Sequence, residues 1–310
     1  MNSDVGVERR PIGDAAWLTE RERGFAWLMQ LSFRLATLCG RRAMKPVVAV
    51  VAGWYCLFDS RARHASREWL RRVQGGPVQR GQVFRHIRTF AQVTLDRVFL
   101  LTGKDRGLEF TCTGQQHLSA QIATGRGAVL LGAHLGSYEA MCAGGVHEGI
   151  PIHIVGHFEN ARRINAVLSR LSPGRTAQVI HIGDDPVGVM ARVRARIEAG
   201  HLVALLGDRV GLSDRVVRVP FLGETAAFPA GPFLLAHVLR CPVFLVFGLY
   251  TDPGRYDLHC EPFAERIELP RSGRDEALQV IVRRYAERLE HHARRAPYNW
   301  FNFFDFWKAA

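Results

Sequence analysis

"VLLGAHLGSYEA", residues 129–140, is the stretch on which the fold turns. Val129, Leu130 and Leu131 make a short continuous apolar run, the pattern of a strand buried on both faces. His134 follows it. Gly136 permits a tight turn, and Ser137 is a good helix N-cap, which places Glu139 in the first turn of a helix. Strand, short loop and helix in that order are one step of an α/β fold. On a continuous helix, residues five apart point about 140° away from each other, so His134 and Glu139 can meet only if a turn separates them. A carboxylate at a helix start also gains about 0.3–1 kcal/mol. The expectation is that Glu139 holds one imidazole nitrogen and leaves the other free as a general base. The plainer alternative is a loop histidine beside an ordinary helix-start acid.

A second stretch repeats the design. "GAVLLGAH" (127–134) and "GHLVALLGD" (200–208) each read Gly, apolar strand, Gly, ionisable residue. Each follows a helical segment, so both are expected to run parallel in one sheet. Ligands of open α/β sheets sit beyond the carboxyl ends of the strands, so His134 and Asp208 should stand on the same functional edge.

Working outward, strands are expected at 127–132, 151–156, 177–182, 201–206 and 242–250. Helices are expected at 83–101, 114–124, 137–148, 160–171, 186–199, 230–240 and 274–295. The fold class is therefore α/β, with a mixed, mainly parallel sheet flanked by helices. Residues 1–20 read as a loosely ordered lead, residues 21–105 as an N-terminal helical region, and residues 106–310 as the α/β core with an aromatic tail. In the helical region, Phe25 to Leu35 and Pro46 to Phe58 are apolar and flanked by arginines, the pattern of helices lying in a membrane interface. The Pro46–Phe58 run is too short to span a bilayer, which takes about 20 residues. The tail, 298–307, places seven aromatics in ten residues, either as core packing or as an interfacial belt.

Composition narrows the function. The 310-residue chain carries a net charge of +12, nearly all of it from arginine, since Lys45, Lys104 and Lys308 are its only lysines. A basic surface suits anionic partners such as lipid headgroups or an acidic carrier protein. Nucleic acid would fit the charge, but no helix-turn-helix, zinc finger or RNP sequence is present. The six cysteines are scattered without a CxxC pair, so neither a metal site nor a disulfide framework is expected. The first residues contain no secretory apolar segment. A G-x-S-x-G elbow, a P-loop and a G-x-G-x-x-G fingerprint are all missing.

The ordered set of motifs resembles a known family. His-x4-Glu after an apolar strand resembles the signature of the glycerolipid acyltransferase superfamily. "ERERGFAWLMQ…REWLRRV" (20–73), "LLGDRV" (205–210), "VPFLGETAAFPAGPFLLAHVLRCPVFLVFGLY" (219–250) and "APYNWFNFFDFW" (296–307) are similar to blocks of its bacterial lipid A acyltransferase branch. The resemblance implies transfer of an acyl chain from an acyl carrier protein or CoA thioester to a hydroxyl of a lipid or glycolipid. No resident cofactor or metal is needed, and the place of work is the cytoplasmic face of a bacterial inner membrane. It implies His134 as base with Glu139 orienting it, and Gly136, Ser137, Asp208 and Arg209 as substrate-binding or oxyanion groups. "AAFPAGP" (226–232) lacks the Glu and Arg of the superfamily's FPEGTR block, so its glycerol-phosphate contacts are not carried over. The competing reading is a lipid-binding protein that keeps the fold without the chemistry.

Overall fold

A computed structural model of the chain describes residues 7–9, 36, 38–105, 107–147, 152–156, 178–182, 186–210 and 215–308. The helix expected at 160–171 and the apolar face from Phe25 to Leu35 lie outside these residues.

Seven strands form the main sheet, in the order β2 (Glu109–Thr113), β10 (Arg255–Ala264), β9 (Val243–Thr251), β3 (Ala128–Gly132), β6 (Leu202–Leu206), β4 (Ile152–Gly156), β5 (Gln178–His181). The five from β9 to β5 are parallel; β10 is antiparallel to β9, and β2 follows β10. The sheet is thus mixed and mainly parallel. β3 reads AVLLG and is buried at every position, because apolar clusters cover both of its faces. Leu130 packs with Leu202 and Phe244 on one side, while Val129 and Leu131 face the larger cluster on the other.

Helices α4 (Gln115–Ala123), α5 (Tyr138–His147), α6 (Pro186–Glu198), α7 (Gly231–Leu239) and α8 (Arg274–Arg295) complete the α/β unit. α8 is matched to its macrodipole, with Asp275 and Glu276 in the first turn and Arg294 and Arg295 in the last.

A small antiparallel sheet, β1 (Val7–Arg9), β7 (Arg215–Phe221) and β8 (Glu224–Pro229), joins α8. The sequence reading did not anticipate it. β7 and β8 are linked by Leu222 and Gly223, both with positive φ (52° and 86°), as a two-residue primed turn requires. Leucine is an unusual choice there; its N–H is held by the Glu290 carboxylate at 2.7 Å.

The N-terminal helices are α1 (Lys45–Phe58), α2 (Ser60–Gln74) and α3 (Arg80–Thr102). Asp59 closes α1 and caps α2, accepting the Ala62 N–H at 2.9 Å. α2 and α3 share the main core: Trp69, Leu70, Val73, Val83 and Ile87 pack in the same cluster as Leu131 and Leu205. α1 lies against α3 and leaves its outer face bare.

Candidate active site

The carboxyl ends of β3 and β6 build the site. The two strands pair in register from Ala128–Leu202 to Gly132–Leu206. Continued by two residues, that register sets His134 opposite Asp208, and the Gly207 N–H to Gly132 carbonyl bond (3.0 Å) carries it across the gap. The repeated Gly-strand-Gly design of the two stretches is what makes their ionisable ends meet.

Asp208 is fully buried and accepts three hydrogen bonds. Its Oδ1 takes the Nδ1–H of His134 at 2.9 Å; its Oδ2 takes the His134 backbone N–H at 3.0 Å and the Asn302 side-chain amide at 2.9 Å. Burial alone would raise the Asp208 carboxyl, but His134, Arg209 and Asn302 together hold it below the usual carboxylate range. A carboxylate can only accept, so Nδ1 of His134 carries the proton and Nε2 bears the lone pair. Nε2 has no hydrogen-bond partner among the described residues, and a quarter of the side chain is open to solvent (25%). Burial, and then the Arg209 charge, lower the His134 pKa, so the ring is neutral at neutral pH.

Glu139 is not the residue that holds the imidazole nitrogen. It sits in the first turn of α5, as its position after Ser137 implies, and the Ala140 N–H donates to Ser137 Oγ at 3.1 Å. Its carboxylate, however, turns to Arg97 of α3, with which it forms an ion pair, and takes a long contact from Ser137 Oγ at 3.4 Å. The reason is competition: the neighbouring strand has already delivered Asp208 to Nδ1. Glu139 acts on the ring through space, its charge favouring the imidazolium.

Gly136 is required twice over. Its φ is 82°, and a Cβ there would lie 2.1 Å from the Gly248 carbonyl oxygen. The loop is laced to its neighbours: Gly136 N–H donates to Asn299 O (2.8 Å) and Ser137 N–H to Gly248 O (2.7 Å). These two N–H groups are therefore engaged by the protein and do not serve as the oxyanion donors expected of them. Arg209 donates Nε to Asn302 Oδ1 at 2.7 Å and Nη2 to the Phe301 carbonyl at 3.2 Å.

The aromatic tail reaches the site as a strap. Trp300 is fully buried, stacked on Trp69 at 4.8 Å, and its neighbour bonds the loop after β3: Phe301 N–H donates to His134 O at 2.8 Å. His86 of α3, also fully buried, donates Nε2–H to Trp300 O at 2.6 Å and accepts from Ser66 Oγ at 2.8 Å. Asn299, Asn302 and His86 were not singled out from sequence. An asparagine repeated at three-residue spacing inside an aromatic run is a signal that could have found two of them, since buried amides must be bonded.

The model of the bacterial lipid A biosynthesis acyltransferase family matches residues 14–309. The chain belongs to that family. Membership supports acyl transfer to a lipid acceptor, and it agrees with the ordered motifs from His134 to the tail. A search of curated proteins finds no match. Among solved structures, the 1-acyl-sn-glycerophosphate (LPA) acyltransferase PlsC from Thermotoga maritima is similar at 13% identity, over 85% of this chain and 97% of that one, with a TM-score of 0.36. For this member of the lipid A acyltransferase family, no helix among the described residues is long and apolar enough to cross a membrane.

Proposed function

We propose that the protein transfers a fatty acyl chain from a carrier thioester, acyl carrier protein or CoA, to a hydroxyl of a lipid A-type or related glycolipid, with His134 as general base. The observation that carries this reading is the state of the ring: Nδ1–H fixed by a buried carboxylate, Nε2 bare, and a quarter of the side chain open to solvent. Nε2 removes the acceptor hydroxyl's proton as its oxygen attacks the thioester carbonyl. The C–S bond then breaks, and the imidazolium returns the proton to the departing thiolate. Asp208 stabilises the imidazolium directly, and Glu139, held by Arg97, does so through space. Arg209 offers the positive charge for the oxyanion, being close enough to depress His134.

α1 supports a place of work at a membrane surface. Val50, Trp54, Leu57 and Phe58 project from one face of it, 54–73% exposed, while Val48 and Ala52 are buried on the other. Lys45 and Arg61, both exposed, stand at its two ends. An apolar stripe with basic ends fits an anionic lipid surface. α3 packs on α1 and carries Arg97 to Glu139, so in this reading the helix that meets the membrane is one packing step from the site.

Purified protein with acyl carrier protein thioester and bacterial lipid extract should yield an acylated lipid by mass spectrometry. His134→Ala should reduce the rate by about 10²–10⁴-fold, the usual contribution of a positioned base. Undiminished transfer by the variant would remove His134 from the mechanism, and lipid binding without transfer by the native protein would favour the non-catalytic reading.

A further inference from the structure

We propose that Asn302 is a positioning residue: it sets the Asp208 carboxylate for His134 by bridging that carboxylate to Arg209. The inference rests on the reading of His134 as the base.

Asn302 is 2% exposed, and its two partners decide which way its amide points. Asp208 only accepts, so Nδ2 faces it at 2.9 Å; Arg209 only donates, so Oδ1 faces its Nε at 2.7 Å. A flipped amide would set oxygen against oxygen and N–H against N–H. The orientation is therefore locked without any further contact.

The bridge solves a specific problem. Arg209 and Asp208 are adjacent in sequence and opposite in charge, and a direct guanidinium–carboxylate pair would compete with the ring for Oδ1. The amide stands between them. It takes the Arg209 Nε–H on its own oxygen and returns a neutral donor to Oδ2, leaving Oδ1 for His134 Nδ1–H. With Oδ2 held by Asn302 and by the His134 backbone N–H, the carboxylate plane is fixed, and so is the imidazole tautomer. Residue 302 cannot drift, because Phe301 N–H is bonded to His134 O and Trp300 is locked against Trp69.

Two variants test this, Asn302→Asp, of equal size, and Asn302→Ala. Near-UV circular dichroism of the Trp69–Trp300 stack first verifies that the strap is seated; if the alanine variant loses it, the aspartate variant decides. Both should lower kcat about 10–100-fold with KM within about twofold, the usual scale for a supporting partner. Asn302→Asp should also move the acid limb of kcat/KM to higher pH. The groups facing His134 are Asp208, Glu139 with Arg97, and Arg209, and a third carboxylate among them favours the imidazolium. Nitrogen-15 shifts of His134 at neutral pH should report a protonated Nδ1 in the native protein and a mixture of tautomers in Asn302→Ala. A seated strap with kcat unchanged, or with the tautomer unchanged, would overturn the proposal. The nitrogen shifts need no substrate, so an absence of acyl transfer by the native protein would sink the proposed function while leaving the role of Asn302 still decided by the spectra.

Discussion

At His134 two carboxylates have different tasks, and substitution separates them. Asp208→Asn keeps size and burial but replaces a pure acceptor by an amide that no longer carries the charge stabilising the imidazolium. We expect kcat to fall about 10²–10⁴-fold and the Nδ1–H proton resonance of His134 to move. Glu139→Gln should lower kcat as well, because it breaks the Arg97 pair and removes a nearby negative charge, yet it should leave that resonance in place. Equal displacement of the resonance by both variants would show that the two acids trade places in solution. With His134 as the proposed base, the active form of the ring is the neutral one; burial and Arg209 lower its pKa, so the acid limb of kcat/KM belongs below the ordinary histidine value of about 6.5. His134 and Asp208 were legible as residues of one sheet edge from the repeated strand design. Their direct pairing was not, because a five-residue spacing in sequence drew attention to Glu139. Register between strands 74 residues apart is a property of the sheet, not of the local chain.

The strap is an element held by two helices, and its clasp has a pH signature. Ser66 of α2, His86 of α3 and the Trp300 carbonyl form one buried chain, while Trp69 Nε1–H of α2 donates to the Pro297 carbonyl at 2.7 Å. Burial lowers His86 to about 4. The folded state therefore takes up the proton later than the unfolded chain, whose histidine titrates near 6.5. Stability from this group is present in full above pH 6.5 and is lost as pH falls toward 4, by about 3 kcal/mol at most. His86→Asn should be less stable at pH 7 but show a shallower decline between pH 6.5 and 4.5 in urea titrations. An unchanged slope would mean that another buried histidine, such as His292, carries it. Elements with a clean signal were legible in the sequence: the helix expected at 274–295 is α8, and the buried runs of β3, β6 and β9 fall where they were expected. The hairpin of β7 and β8 was not, because its turn is Leu-Gly where Asn-Gly would have announced it. The tail's aromatics fitted a core or a belt equally well; burial of Trp300 and Phe306 places them in the core.

At the scale of the whole molecule, two features bear on attachment to a lipid surface: the exposed apolar face of α1 and the net positive charge. The strap draws Trp300 and Phe306 inward, while among the described residues the outer face of α1 is an apolar stripe open to a partner. A net charge of +12 adds long-range attraction to an anionic surface and to an acidic carrier, but that attraction is screened within about 10 Å at 0.1 M salt. The two contributions therefore separate in experiment. Burying an exposed Trp, Leu or Phe side chain is worth about 1.5–3 kcal/mol at most, and insertion into an interface recovers part of that. Trp54→Ser, Leu57→Ser and Phe58→Ser combined should reduce sedimentation with phosphatidylglycerol vesicles by roughly 10²-fold or more, at about 1.4 kcal/mol per tenfold. The fold should survive, since these side chains are 54%, 73% and 70% exposed and support little of the core. Transfer to a lipid presented in vesicles should fall with binding, while transfer to a detergent-dispersed acceptor should be kept, because the three side chains lie on the exposed face of α1 and bond to no described residue of the site. Raising salt to 1 M should loosen the native protein from vesicles without freeing it. Complete release by salt alone would assign the attachment to the arginines and leave the stripe without a membrane role.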